Sequence, residues 1–238
     1  MPKTLKGYDR LDPERLFETI AKVQAKIQGS FPGAGLFKLA GKLDLVARDV
    51  ARGARHVQRP YWLVRGLIAA AMASSGLAAA YLLGFTHLDL NDTPNAVDAI
   101  QGLEALFNAV FLLLAGIVFI MSVEQRLKRS RALRDLHRVR SLTHVIDMHQ
   151  LSKDPAVVGA PGERFAAAEE LIAYLSACTD LLSLCGKIGA LYAQDMDDPI
   201  VIETVNDIET LSTNLSRKIW QKILIAQGRM PTRAPLDV

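Results

Sequence analysis

Three of the five histidines fall in LHRVRSLTHVIDMHQLSKDP, residues 136–155, the stretch best supplied with groups that could hold a metal or move a proton. His137 and His144 are seven residues apart and Asp147 lies three beyond His144, so on a helix these three share a face, while His149 points elsewhere. A zinc site carried by one helix needs ligands at i and i+4, as in HExxH, and that spacing is missing. A metal would have to recruit Cys178 or Cys185 from another segment. The simpler expectation is a polar, protonation-sensitive cluster of His137, His144 and Asp147 at a helix junction, with no metal and no cofactor.

The other reactive-looking groups have plain readings. Asp195, Asp197, Asp198 and Glu203 lack the oxygen spacing and central glycine of a calcium loop, and negative charge before Pro199 suits a helix start. Gly33 and Gly35 in FPGAGLFKLAGK have no GK[ST] ending and no preceding strand, so they are no phosphate loop. Cys178 and Cys185, seven apart in one predicted helix, cannot bridge within it and read as packed thiols in a reducing compartment. GxSxG, GxGxxG, Walker and CxxC patterns are missing, so no reaction can be written and the expectation is a protein that is not an enzyme.

Two charged sets matter for position more than for chemistry. Arg48, Arg52, Arg55 and Arg59 recur at four, three and four, a basic stripe suited to lipid headgroups. Glu104 and Asn108 are one turn apart inside an otherwise apolar block, where an acid and an amide need a partner helix, water or each other.

The elements that carry these residues follow from hydropathy. Residues 61–85 hold one charge, Arg65, and residues 103–123 hold one, Glu104. At about 1.5 Å per residue each can cross a hydrocarbon core of about 30 Å. Some sixty residues precede the first block, so it is not read as a signal peptide. Arginines and lysines crowd both outer flanks, whereas residues 86–98 contain neither and carry Asp89, Asp92 and Asp98. The positive-inside rule then puts both termini in the cytoplasm of an inner membrane. Gly66, Ala70, Ser74 and Ala78 on the first span, and Gly102, Ala109 and Gly116 on the second, are small residues at spacings that permit close helix packing.

Outside the spans the pattern is helical throughout. Asp12-Pro13 and Asp198-Pro199 look like N-caps followed by proline at the first helical position. Leu36, Leu39, Leu43, Val46 and Val50 define one face of a helix over 36–57. Residues 124–151 contain no glycine or proline, so the second span is expected to continue as one long helix. Residues 163–194 carry Leu171, Cys178, Cys185 and Tyr192 at one heptad position and Leu175, Leu182 and Gly189 at the complementary one. With the helix from Pro199 to about Gln227 they form an antiparallel hairpin, its core including Ile208 and Leu215.

The expected fold is therefore an all-α integral membrane protein, a two-span transmembrane hairpin with a cytoplasmic helical bundle. Its parts are N-terminal amphipathic helices (1–59), the membrane hairpin with external loop 86–98 (60–123), an extension and linker (124–160), the C-terminal hairpin (161–228) and a flexible tail (229–238). The leading functional expectation is a non-enzymatic scaffold or accessory subunit that binds itself or another membrane protein through coiled-coil-like helices. The alternatives are a homo-oligomeric ion channel with Glu104 and Asn108 near its outer mouth, and a lipid-sensing or membrane-shaping protein acting through residues 48–59. Anionic lipids are the expected small partners; a net charge of only +3, mixed in sign on the polar faces, gives no footprint for nucleic acid.

Overall fold

The structure, a computed structural model, describes residues 10–57, 62–85, 96–160 and 165–228. Among them it is all-α, with six helices: α1 (Pro13–Ser30), α2 (Gly35–Val57), α3 (Trp62–Phe85), α4 (Ala96–Leu151), α5 (Ala168–Ala193) and α6 (Pro199–Gln227). The chain divides into two units. A helical unit combines residues 1–58 with 129–238, and an apolar unit comprises 59–128. As its unbroken run of non-proline residues predicts, α4 is one helix of 56 residues and contributes to both. Residues 86–95, most of the loop expected to be external, and residues 229–238, expected to form a flexible tail, lie outside the described residues.

In the helical unit α5 is the central element, packing against α1, α2 and most extensively α6. Leu171, Leu175, Cys178, Leu182, Cys185 and Tyr192 are all fully buried, so the heptad seam is the core. Leu36, Leu39, Leu43, Val46 and Val50 of α2 are buried too, as are Ile208 and Leu215 of α6. Helix ends are set by local chemistry. Asp12 accepts the Glu14 N–H at 3.0 Å ahead of Pro13, and Gly33 takes a positive φ of 78° in the turn between α1 and α2.

The start of α5 differs from expectation. Phe165 is buried against Tyr174, with ring centroids 5.2 Å apart, and its carbonyl accepts the Gly159 N–H at 3.0 Å. Those contacts hold it outside the helix, which begins at Ala168 rather than at 163.

The apolar unit contains α3 and the first part of α4, and among the described residues most of its side chains are exposed and none is buried. Both α4 and α5 are long and apolar enough to cross a membrane. Of the most apolar 18-residue window of α5, 61 % is buried in its unit, so that helix is spent on the core; of the corresponding window in α4, 0 % is buried.

Candidate functional site

On α3, Gly66, Ala70 and Ser74 are exposed, and the Ser74 hydroxyl donates to the Ala71 carbonyl at 3.0 Å. The side chains of Arg65 and Ala78 lie outside the described residues. Gly102, Ala109 and Gly116 are exposed along α4, and a Cβ at Gly66, Gly102 or Gly116 would meet nothing within 4 Å. These faces are open to a neighbour. Glu104 and Asn108 are exposed as well, beside the exposed rings of Phe107 and Phe111.

The basic stripe has carboxylate partners. Arg48 donates to Asp44 at 2.8 Å and lies 4.9 Å above the Phe17 ring, and its bond to Asp44 raises the guanidinium pKa further. Arg52 pairs with Asp49, and Arg55 donates to Glu14 of α1 at 3.1 Å. Arg59 is outside the described residues. A phosphate headgroup would have to compete with a carboxylate for each of the three, which weighs against this stripe as a strong lipid site.

The histidine cluster is dispersed. His137 and His144 are exposed, while half-buried Asp147 accepts from Gln150 at 2.6 Å. Among the described residues no group of three histidine, cysteine or acidic side chains is placed to hold a metal. The built-in histidine is His149. Its Nδ1 lies 3.5 Å from the Tyr174 hydroxyl, and a methyl group at Gly35 would come within 2.6 Å of its Cε1.

The strongest polar construction joins α2, α4 and α5. Tyr192 donates to Asp135 at 2.6 Å; Arg138 approaches Asp135 at 3.6 Å and donates to Asp49 at 2.8 Å. Gly53 completes it, because a side chain there would overlap the Tyr192 hydroxyl and lie 2.8 Å from the Asp135 carboxylate. Burial first, then the bond to Asp135, pushes the Tyr192 phenol well above its usual pKa, and the Arg138 bond chiefly holds Asp49 below the usual carboxylate range. A single tyrosine in a seam of leucines and cysteines is the sequence signal for this cluster, since a buried phenol needs a partner.

At the turn between α5 and α6, Asp198 works twice. One oxygen accepts the N–H groups of Ile200 and Val201 at 3.1 and 3.3 Å, and the other takes the Arg129 guanidinium at 2.8 Å. Arg10 pairs with Asp195, and the Leu11 N–H donates to Gln194 at 2.7 Å. At the C-terminal end of α4, Lys222 donates to the carbonyls of Gln150, Leu151 and Lys153 at 2.8, 3.4 and 3.1 Å. It thereby joins the Lys153 N–H on the Gln150 carbonyl and supplies a donor to the Leu151 carbonyl at the helix end.

Cys178 and Cys185 are free and buried, and burial pushes each thiol up to about 12 from 9.0. A group raised in this way contributes stability that is full below its unfolded pKa and is lost as pH rises towards the folded value. Tyr192 adds in the same direction above about pH 10. The helical unit is expected to weaken steeply above pH 9, by up to about 1.4 kcal/mol per pH unit for each group that ionises only when unfolded. Denaturant titrations at about pH 8 and about pH 10.5 check this. The triple variant Cys178→Ala/Cys185→Ala/Tyr192→Phe should show a flatter profile.

No known protein family matches the chain, and no curated protein or solved structure shows significant similarity to it.

Proposed function

We propose that α3 and the apolar part of α4 insert in a membrane as a two-span hairpin, and that the helical unit is a non-enzymatic scaffold on the side of both termini. The observation that carries this is the contrast between the units. Among the described residues from Trp62 to Met121, fifteen large apolar side chains are exposed, including Leu67, Phe107, Phe111, Leu112 and Phe119. At roughly 1.5 kcal/mol for each, transfer from water to an apolar medium favours burial by on the order of 20 kcal/mol. An apolar surface of this extent marks a membrane or a protein interface, and the charge asymmetry around it fits a bilayer.

The helical unit supports the scaffold reading through its polar groups. The carboxylates of Asp49, Asp135 and Asp198 are engaged by a guanidinium or a phenol from a different helix. Alkaline carbonate washing of membranes containing the full chain is the test. The protein should stay in the membrane pellet; quantitative release into the wash would overturn insertion.

A further inference from the structure

Resting on the scaffold reading, we infer that the C-terminal half of α6 is a docking face for an acidic amphipathic helix of a partner protein. Trp220, Leu224 and Ile225 of α6, with Met148 and Leu151 at the end of α4, are each more than half exposed. Of the other large apolar side chains described in the helical unit, only Leu45 is exposed to that extent. The concentration is local. Lys222 joins the ends of the two helices by donating to the Gln150, Leu151 and Lys153 carbonyls, and all five side chains lie within three residues of Lys222, Gln150 or Leu151.

The face has the form a helix would pack on. Arg217, Trp220 and Leu224 follow at three and four, so they stand in one exposed row on the side of α6 away from the buried Leu215, Ile219 and Ile223. Rows of this spacing are the ridges against which a second helix fits. Tryptophan and arginine are also the residue types that most often dominate binding at an interface, and a concentrated apolar patch rimmed by polar groups marks one.

Charge gives the chemistry of the occupant. From Thr210 to Gln227 α6 holds no aspartate or glutamate, whereas Arg217 and Lys218 are exposed and enter no ion pair among the described residues. The carboxylates near the end of α4 are engaged locally: Asp147 accepts from Gln150 at 2.6 Å, and Asp154 accepts the Ala156 N–H at 2.8 Å. The complement of an apolar row edged by two unpaired cations is an apolar helix face edged by carboxylates, laid along α6.

Two labelled peptides titrated onto the full chain in nanodiscs of phosphatidylcholine, whose headgroup has no net charge, test it. Both are amphipathic helices of about twenty residues with leucine along one face, and one carries glutamate where the other carries lysine. Fluorescence anisotropy should show the glutamate peptide binding at least about tenfold more tightly, Trp220→Ala/Leu224→Ala weakening it about tenfold or more, and Arg217→Glu/Lys218→Glu reversing the preference. All four residues are exposed, and helical circular dichroism checks that the variants fold. Equal affinities, no binding, or a preference that survives the charge reversal would overturn the inference. So would binding that appears only after removal of residues 229–238, which would make that segment the occupant. Carbonate washing keeps the failures apart. Protein released by the wash refutes insertion itself, whereas retained protein that is indifferent to the peptides refutes only the docking face.

Discussion

Gly53→Ala is expected to destabilise the helical unit by about 3 kcal/mol, although alanine normally stabilises a helix interior by about 1 kcal/mol over glycine. The new methyl would occupy the space of the Tyr192 hydroxyl. Overpacking costs about 1–3 kcal/mol, and driving the phenol from Asp135 leaves buried polar groups unpaired at about 1–3 kcal/mol more. Together these outweigh the gain in helix propensity. A denaturant titration of the detergent-solubilised protein, followed by helical circular dichroism, reads the loss. Tyr192→Phe removes the colliding oxygen, so the double variant should lie clearly above the sum of the two single changes, and strict additivity would show that the clash is not the cause.

Asp198→Ala has the second largest expected effect, about 2–3 kcal/mol. Loss of the α6 N-cap accounts for about 1 kcal/mol, and a partly buried Arg129 deprived of its carboxylate for the rest. Asp198→Asn separates the two roles, because asparagine caps as well as aspartate and carries no charge. It should recover the cap contribution and no more. An asparagine variant as unstable as the alanine variant would mean that the Arg129 contact carries the whole effect.

Which parts of this fold can be read from sequence depends on whether the controlling contact is local. Asp12-Pro13 and Asp198-Pro199 are legible because a cap acts on N–H groups two or three residues away. The buried faces of α2, α5 and α6 are legible because apolar spacing reports which side of a helix avoids water. Spacing does not report what lies against that side. That α2 packs on α5, or that Gly53, Asp135 and Tyr192 meet, rests on contacts between segments far apart in the chain, with only a lone seam tyrosine as a hint. The arginine stripe looked free because its periodicity is visible while partners such as Glu14 are not. In the histidine segment the residues sharing a face, His137 and His144, turned out to be solvent-facing, and His149, which the same geometry set aside, is the one that packs. In the apolar unit, Glu104 and Asn108 are conspicuous in sequence as polar groups in an apolar block. That both are exposed on α4 needed the structure.

The division of the helical unit between the two ends of the chain puts its assembly on a clock. The apolar face of α2 leaves the ribosome roughly a hundred residues before α5 exists to cover it. At about 5–20 residues per second that interval lasts on the order of 5–20 s, far longer than helix formation or collapse needs. Throughout it Leu36, Leu43, Val46 and Val50 have only α1 for company while the apolar unit is being synthesised. Nascent chains stalled before α5 should therefore be the ones that chaperones hold and proteases cut, and release from both should coincide with the emergence of the C-terminal helices.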